Sequence, residues 1–87
     1  MDRGKLKCEY GANGMKAELT TLNPITSKPE VMTTEGTLDK FIVKGDSGKQ
    51  IATSADRKSS DIGKFATAQG GLFSLQACDR RGGGLNL

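Results

Sequence analysis

Basic side chains lie close in sequence to an aromatic side chain on each of three predicted strands of this 87-residue chain. Proteins that bind single-stranded nucleic acid combine cationic grooves, which neutralise phosphates, with aromatic rings on which bases stack. The pattern therefore predicts a nucleic-acid-binding surface for single-stranded DNA or RNA, with the cations on backbone phosphates. The residues predicted to form it are Lys5, Lys7, Tyr10, Lys16, Lys40, Lys44, Lys49, Arg57, Lys58 and Phe65.

Aromatic residues are scarce, and this limits the prediction. The chain has three phenylalanines, one tyrosine and no tryptophan, and its core must be filled from the same small set. Phe41 and Phe73 are expected inside, which leaves Tyr10 and Phe65 for stacking. The competing interpretation is that each of the four rings packs in the core, where most aromatic side chains of small domains lie.

Catalytic chemistry is not expected. The chain has no histidine, so it can form neither a Ser-His-Asp triad nor an imidazole metal site. Residues 45–48 read Gly-Asp-Ser-Gly, as in the nucleophile loop of trypsin-type proteases, but without a base beside Ser47 they indicate a hairpin turn. Asp39, Asp46, Asp56 and Asp61 fall in turns or loops, where aspartate is common for backbone reasons. We predict a protein that is not an enzyme and needs no metal or cofactor.

Charge and size favour a small binding protein. The net charge of +3 favours an anionic partner, although acidic and basic residues are mixed along the whole chain. The alternative prediction is a protein-interaction module, such as a phage- or plasmid-type inhibitor of a host protein or a virion or assembly component, docking through loops or an edge strand over residues 30–34. No stretch of about 18 apolar residues is present, so no membrane partner is expected. Homo-oligomers are compatible with either prediction.

The two cysteines, Cys8 and Cys78, are too far apart in sequence for a Cys-x-x-Cys metal or redox motif. The first eight residues are charged and lack the apolar segment of a signal peptide, which predicts a cytoplasmic location. Free thiols are then favoured over a disulfide. If the chain is excised from an exported protein, a Cys8–Cys78 disulfide becomes the alternative.

Alternation of apolar and polar residues predicts a β-rich fold. Leu6, Cys8 and Tyr10 alternate with charged residues, and a second alternating segment follows after the Gly11–Gly14 turn signal, so a hairpin is expected. Further strands are predicted over residues 30–34, 37–44, 50–54, 64–68 and 72–78, the last two forming another hairpin around Gln69-Gly70-Gly71. Residues 23–29 are a predicted loop. Residues 55–63 are a predicted mobile loop, or one short helical turn capped by Ser59 or Ser60.

The expected fold is thus all-β, a small antiparallel barrel or sandwich (OB-like or SH3-like) of about six to seven short strands. Closure of the sheet would hide its edges, and no helix longer than about two turns is expected. Residues 1–79 are assigned to a single β domain and residues 80–87 to a flexible glycine-rich tail.

Overall fold

The computed structural model describes residues 4–22 and 25–85. Five strands form one antiparallel sheet in which each strand pairs with the next along the chain. A 3₁₀ helix, Ser54–Lys58, follows the sheet and leads into one long α-helix. The elements are β1 (Gly4–Gly11), β2 (Gly14–Leu22), β3 (Pro29–Gly36), β4 (Phe41–Lys44), β5 (Gln50–Thr53) and α1 (Ile62–Leu85).

The first hairpin is confirmed. β1 pairs with β2 from Gly4↔Thr21 to Gly11↔Gly14, so Ala12 and Asn13 form the turn. Gly14 has a φ of +147°, and a Cβ atom there would lie 2.5 Å from the carbonyl oxygen of Gly36. A side chain is thus excluded at this position both by the backbone conformation and by the neighbouring strand.

Each strand of the sheet turns one face to α1 and the other to solvent. One row of paired residues crosses the helix-facing side, and all of its members except the half-buried Cys8 are buried. Because side chains alternate between the faces of a strand, the neighbours of this row point away from the helix. The row is Cys8, Ala17, Thr34, Val43 and Ala52.

The predicted barrel is wrong, because the sheet is open and β1 and β5 lie at opposite edges. The class remains mostly β, but with five strands and one long helix in place of six to seven strands. Residues 30–34, predicted to be an edge strand, lie in β3 at the centre of the sheet. A helix packed across one face buries the apolar side of an antiparallel sheet, so this fold needs no closure to form a core.

The predicted hairpin over residues 64–78 is also wrong, since this segment is part of α1. The buried apolar residues Ala68, Leu72, Leu75 and Cys78 are spaced four, three and three residues apart, which is a helical period. In a strand, Leu75 and Cys78 would point to opposite faces. The Gly70-Gly71 pair, which resembles a turn signal, lies within the helix.

The polar segment that precedes α1 is folded rather than an extended loop. Its first part is the 3₁₀ helix Ser54–Lys58, so a short helical turn is present, but its N-cap is Thr53 rather than Ser59 or Ser60. The Asp61 carboxylate then accepts hydrogen bonds from the backbone N–H groups of Gly63 (3.0 Å) and Lys64 (3.2 Å). An N-terminal aspartate satisfies N–H groups that have no partner within the helix, so Asp61 fixes where α1 begins.

Cys8 and Cys78 form a disulfide with a Cα–Cα distance of 5.6 Å, so the expectation of free thiols is wrong. Two hydrogen bonds accompany this link between β1 and α1. The Tyr10 hydroxyl donates to the carbonyl oxygen of Cys78 (2.6 Å), and the Arg81 guanidinium donates to that of Leu6 (3.1 Å). The edge strand β1 is thereby attached to the last turns of the helix.

The helix also extends into the predicted tail over residues 80–87, since α1 ends at Leu85. Residues 1–3 of the predicted domain, 86–87 of the tail and 23–24 of the predicted loop lie outside the described residues. Within the described ranges, no helix has the length and hydropathy needed to cross a membrane.

Gly71 sets the distance between helix and sheet, and its substitution tests this packing. A Cβ atom there would lie 2.6 Å from Cγ2 of Val43, whereas one at Gly70 would lie 3.7 Å from Cε of Met32. We expect Gly71→Ala to lower the free energy of unfolding by about 1–3 kcal/mol through overpacking, and Gly70→Ala to raise it by about 0.5–1 kcal/mol through helix propensity. Urea denaturation measures both, and equal effects would contradict the close approach at Gly71.

Thr34 carries a buried hydroxyl with no hydrogen-bond partner among the described residues. Valine has nearly the same shape as threonine but no side-chain polar atom. Thr34→Val therefore removes a hydroxyl that loses its water on folding and gains no hydrogen bond in return. We expect the free energy of unfolding to rise by about 1 kcal/mol, measured by urea denaturation at constant m-value. A loss of stability would show that the hydroxyl is hydrogen-bonded in solution.

Candidate functional site

The outer face of α1 carries three exposed apolar side chains. Ile62 is 81% exposed, Phe65 41% and Phe73 61%, and we call these three residues the helix stripe. Large exposed apolar residues near one another on a monomer surface mark sites of interaction more often than isolated ones do. The helix stripe is therefore the strongest candidate site among the described residues.

The packing of α1 places the stripe on the outside. The helix contacts all five strands, and the side chains that face the sheet include Leu72, Leu75 and Cys78. At 100° per residue, Ile62 and Phe73 point within about 20° of each other, on the side opposite to Leu75. Phe65 points about 80° away from Phe73, on the flank of the helix. The same periodicity that buries one side of the helix thus exposes the other.

Small and uncharged residues surround the stripe. Ala66 and Ala77 lie beside it on the same side of the helix, and Lys64 is the only charged residue from Ile62 to Cys78. Desolvation of this face therefore removes few charges from water, which lowers the cost of covering it.

Four of the predicted phosphate-binding residues share the face of the sheet that is turned away from α1. They alternate with glutamates, because Lys7 pairs with Glu18 and Lys16 with both Glu9 and Glu35 across the strands. Opposite charges on neighbouring strands stabilise the sheet modestly and reduce the positive potential that phosphates would meet. The four residues are Lys5, Lys7, Lys16 and Lys44.

The other predicted residues are spread over separate surfaces. Tyr10 projects to the helix side, where its hydroxyl bonds to Cys78, and Phe65 belongs to the helix stripe. Lys40 lies in the turn before β4 and Lys49 in the turn before β5. In the described ranges, no aromatic residue lies on the open sheet face beside the lysines.

The remaining cationic pair, Arg57 and Lys58, lies in the 3₁₀ helix, and both side chains are exposed. With Asp39 they border a shallow depression between this helix and the turn before β4. Arg57 and Lys58 thus lie apart from the lysines of the open sheet face. Neither group of cations lies beside both of the aromatic rings predicted to stack with bases.

Three of the aspartates weighed as catalytic candidates have structural roles. Asp46 accepts a hydrogen bond from the N–H of Val31 (3.2 Å), and Asp56 accepts one from the N–H of Thr53 (2.8 Å). Asp61 caps α1, as described above. The prediction that these residues serve the backbone is confirmed at these positions. Within residues 4–22 and 25–85, no three His, Cys, Asp or Glu side chains are placed to hold a metal ion.

Sequence reasoning missed Ile62 and Phe73 as surface residues. The signal that could have found them is the helical spacing of Ala68, Leu72 and Leu75, which puts Phe73 opposite to Leu75. The Gly70-Gly71 pair obscured this signal because it is typical of a turn.

Comparisons with protein-family models, with curated protein sequences and with solved structures found no match to this chain.

Proposed function

We propose that this protein is a non-catalytic protein-interaction module that docks through the helix stripe. The observation that carries the proposal is the 61% exposure of Phe73 at the middle of the longest element of the fold. Its neighbours Leu72 and Leu75 are buried against the sheet, so this part of the helix packs through them and leaves Phe73 outside.

The size of the stripe fits a docking site. Taking about 200 Å² for each large apolar side chain, the exposed fractions correspond to roughly 350 Å² of apolar surface. Patches of this size on single domains are often functional. Aromatic residues at the centre of an interface also contribute most of the binding free energy.

The proposal is tested with three baits prepared from the purified protein: the wild type, Phe73→Asp and Ile51→Asp. Ile51 is 44% exposed and lies on β5, away from the stripe, so it is the matched control. Each protein retained from cells of the source organism is then purified and titrated by calorimetry. We expect a partner that binds the wild type and Ile51→Asp and loses at least about a hundredfold in affinity for Phe73→Asp.

An apolar interface also predicts weak salt dependence and a negative heat-capacity change on binding. A partner that binds all three baits equally would remove the helix stripe from the interaction.

Nucleic-acid binding is a second proposal, supported by the four lysines on the open sheet face. It ranks below protein binding because the paired glutamates offset the lysines and because neither Tyr10 nor Phe65 lies on that face. Single-stranded binding of moderate affinity would have to come from phosphate contacts alone, without the contribution of about 1–3 kcal/mol per stacked base.

Titration of a fluorescent single-stranded oligonucleotide at two salt concentrations tests this second proposal. We expect Lys7→Ala plus Lys16→Ala to weaken binding for all sequences and to reduce the salt slope by about one to two units. Phe73→Asp is the control that leaves oligonucleotide affinity nearly unchanged. Salt-independent affinity would exclude the phosphate contacts.

The disulfide bears on location. Disulfides persist in oxidising compartments and are rare in the reducing cytoplasm, so we propose that the chain works in an oxidising environment. The cytoplasmic location stays a prediction. Counting free thiols in protein taken directly from its source distinguishes the two locations, because free thiols are expected in the cytoplasm and a disulfide in an oxidising compartment.

A further inference from the structure

We infer that the helix stripe docks a second copy of this chain, with the two α1 helices antiparallel about a twofold axis. This inference rests on the proposed function, and it names the partner. The twofold axis passes between Gln69 and Gly70, close to the middle of the outer face of α1.

The order of large and small residues along the outer face is self-complementary about that point. In an antiparallel pair with this centre, residues whose numbers sum to 139 lie at the same level. Phe73 then meets Ala66 of the second copy, and Ile62 meets Ala77. Ile62 and Phe73 thus each face a small residue, as the identical surfaces of a twofold dimer require. Phe65 lies at the level of the buried Ser74, outside this paired row. A partner of different sequence would need its own surface with large and small side chains in the matching order. A second copy of this chain already has that order.

The burial of these positions is consistent with this pairing. Ile62, Ala66 and Phe73 are exposed, and Ala77 is partly exposed, so all four can be reached by a second helix. Helices approach closely where a large side chain of one inserts between small residues of the other.

Charge and area are compatible with such a dimer. Asp61 at the start of one helix lies within two residues, or about 3 Å along the axis, of the level of Arg80 in the second copy. Ile62 and Phe73 of two copies together offer roughly 600 Å² of exposed apolar side chain. This is below the area of about 1,200 Å² at which stable specific interfaces begin. A reversible dimer of micromolar or weaker affinity is therefore expected.

An exchange of the large and small residues tests the register. In Phe73→Ala the large residue is lost, and in Ala66→Phe two rings compete for the same space, so each change should raise the dimer Kd about tenfold or more. In the double variant Ala66→Phe/Phe73→Ala, a large residue again faces a small one, and the Kd should return to within about threefold of the wild type. Sedimentation equilibrium up to about 1 mM protein measures all four.

Ile51→Ala on β5 is the control and should leave the Kd unchanged, and the thermal unfolding of dilute samples shows that each variant is folded. A wild type that stays monomeric at about 1 mM would overturn the second copy as the occupant and leave the stripe to a different protein. A double variant no better than the single ones would overturn the antiparallel register. Dimerisation that is insensitive to all the changes at positions 66 and 73 would overturn the stripe as a docking surface, and the proposed function with it.

Discussion

Replacement of both cysteines, Cys8→Ala with Cys78→Ala, should lower the free energy of unfolding by about 4 kcal/mol. The disulfide joins residues 70 positions apart, so it restricts nearly the whole unfolded chain, and long loops give the largest entropic effect. Domains of this size have a total stability of about 4–13 kcal/mol. We therefore expect Tm to fall by about 20 °C, measured by calorimetry of the double variant beside the oxidised wild type.

The same experiment separates the disulfide from the contacts around it. The Tyr10–Cys78 and Arg81–Leu6 hydrogen bonds involve backbone carbonyl groups that the variant keeps, so α1 should still dock on β1. Near-ultraviolet circular dichroism of the variant below its Tm should therefore resemble that of the wild type. Equal stability of the two proteins, or two reactive thiols in the native wild type, would show that the disulfide is absent in solution.

The β-sheet could be predicted where polar and apolar residues alternate. In the first hairpin, the alternation of Leu6 and Cys8 with Lys5 and Lys7 fixes which side of β1 is buried, because a shift by one residue would expose every apolar side chain. The turn between β4 and β5 was also predicted, and its Gly48 has a φ of +83°. These features depend on residues that are neighbours in the sequence.

The helix could not be predicted from local preference alone. Glycines at positions 70 and 71 cost a helix about 1 kcal/mol each relative to alanine, and they favour a turn in a chain considered without its tertiary contacts. In the folded protein Gly71 is buried, and its missing side chain lets α1 approach Val43 and Thr34. Packing thus selects the helix that the local sequence disfavours. The open sheet follows, since α1 covers the face that a barrel would have enclosed.

The candidate site was missed for the same reason. Alternation in the first hairpin predicts that Lys5, Lys7 and Lys16 point outward. The cross-strand pairing that places Glu18 and Glu35 among them and brings Lys44 to the same face depends on register between strands. Phe73 was assigned to the core as part of a strand. Once its segment is helical, the same ring lies opposite to Leu75, on the surface.

Two truncations in α1 should show directly that one side of the helix packs on the sheet and the other faces solvent. Leu75 is 0% exposed and Phe73 is 61% exposed, although they are only two residues apart. We expect Leu75→Ala to lower the free energy of unfolding by about 2–5 kcal/mol, through lost burial and the cavity left between helix and sheet.

Phe73→Ala should change the free energy of unfolding by less than about 1 kcal/mol, because little of the ring is removed from water on folding and alanine is the better helix former. Urea denaturation of both variants in dilute protein, where copies are dissociated, measures the difference. If Phe73→Ala costs as much as Leu75→Ala, the ring is buried within the monomer, and α1 has no exposed stripe to offer a partner. If it costs little, the phenylalanine contributes almost nothing to folding, and the aromatic surface that it leaves in water is available for binding.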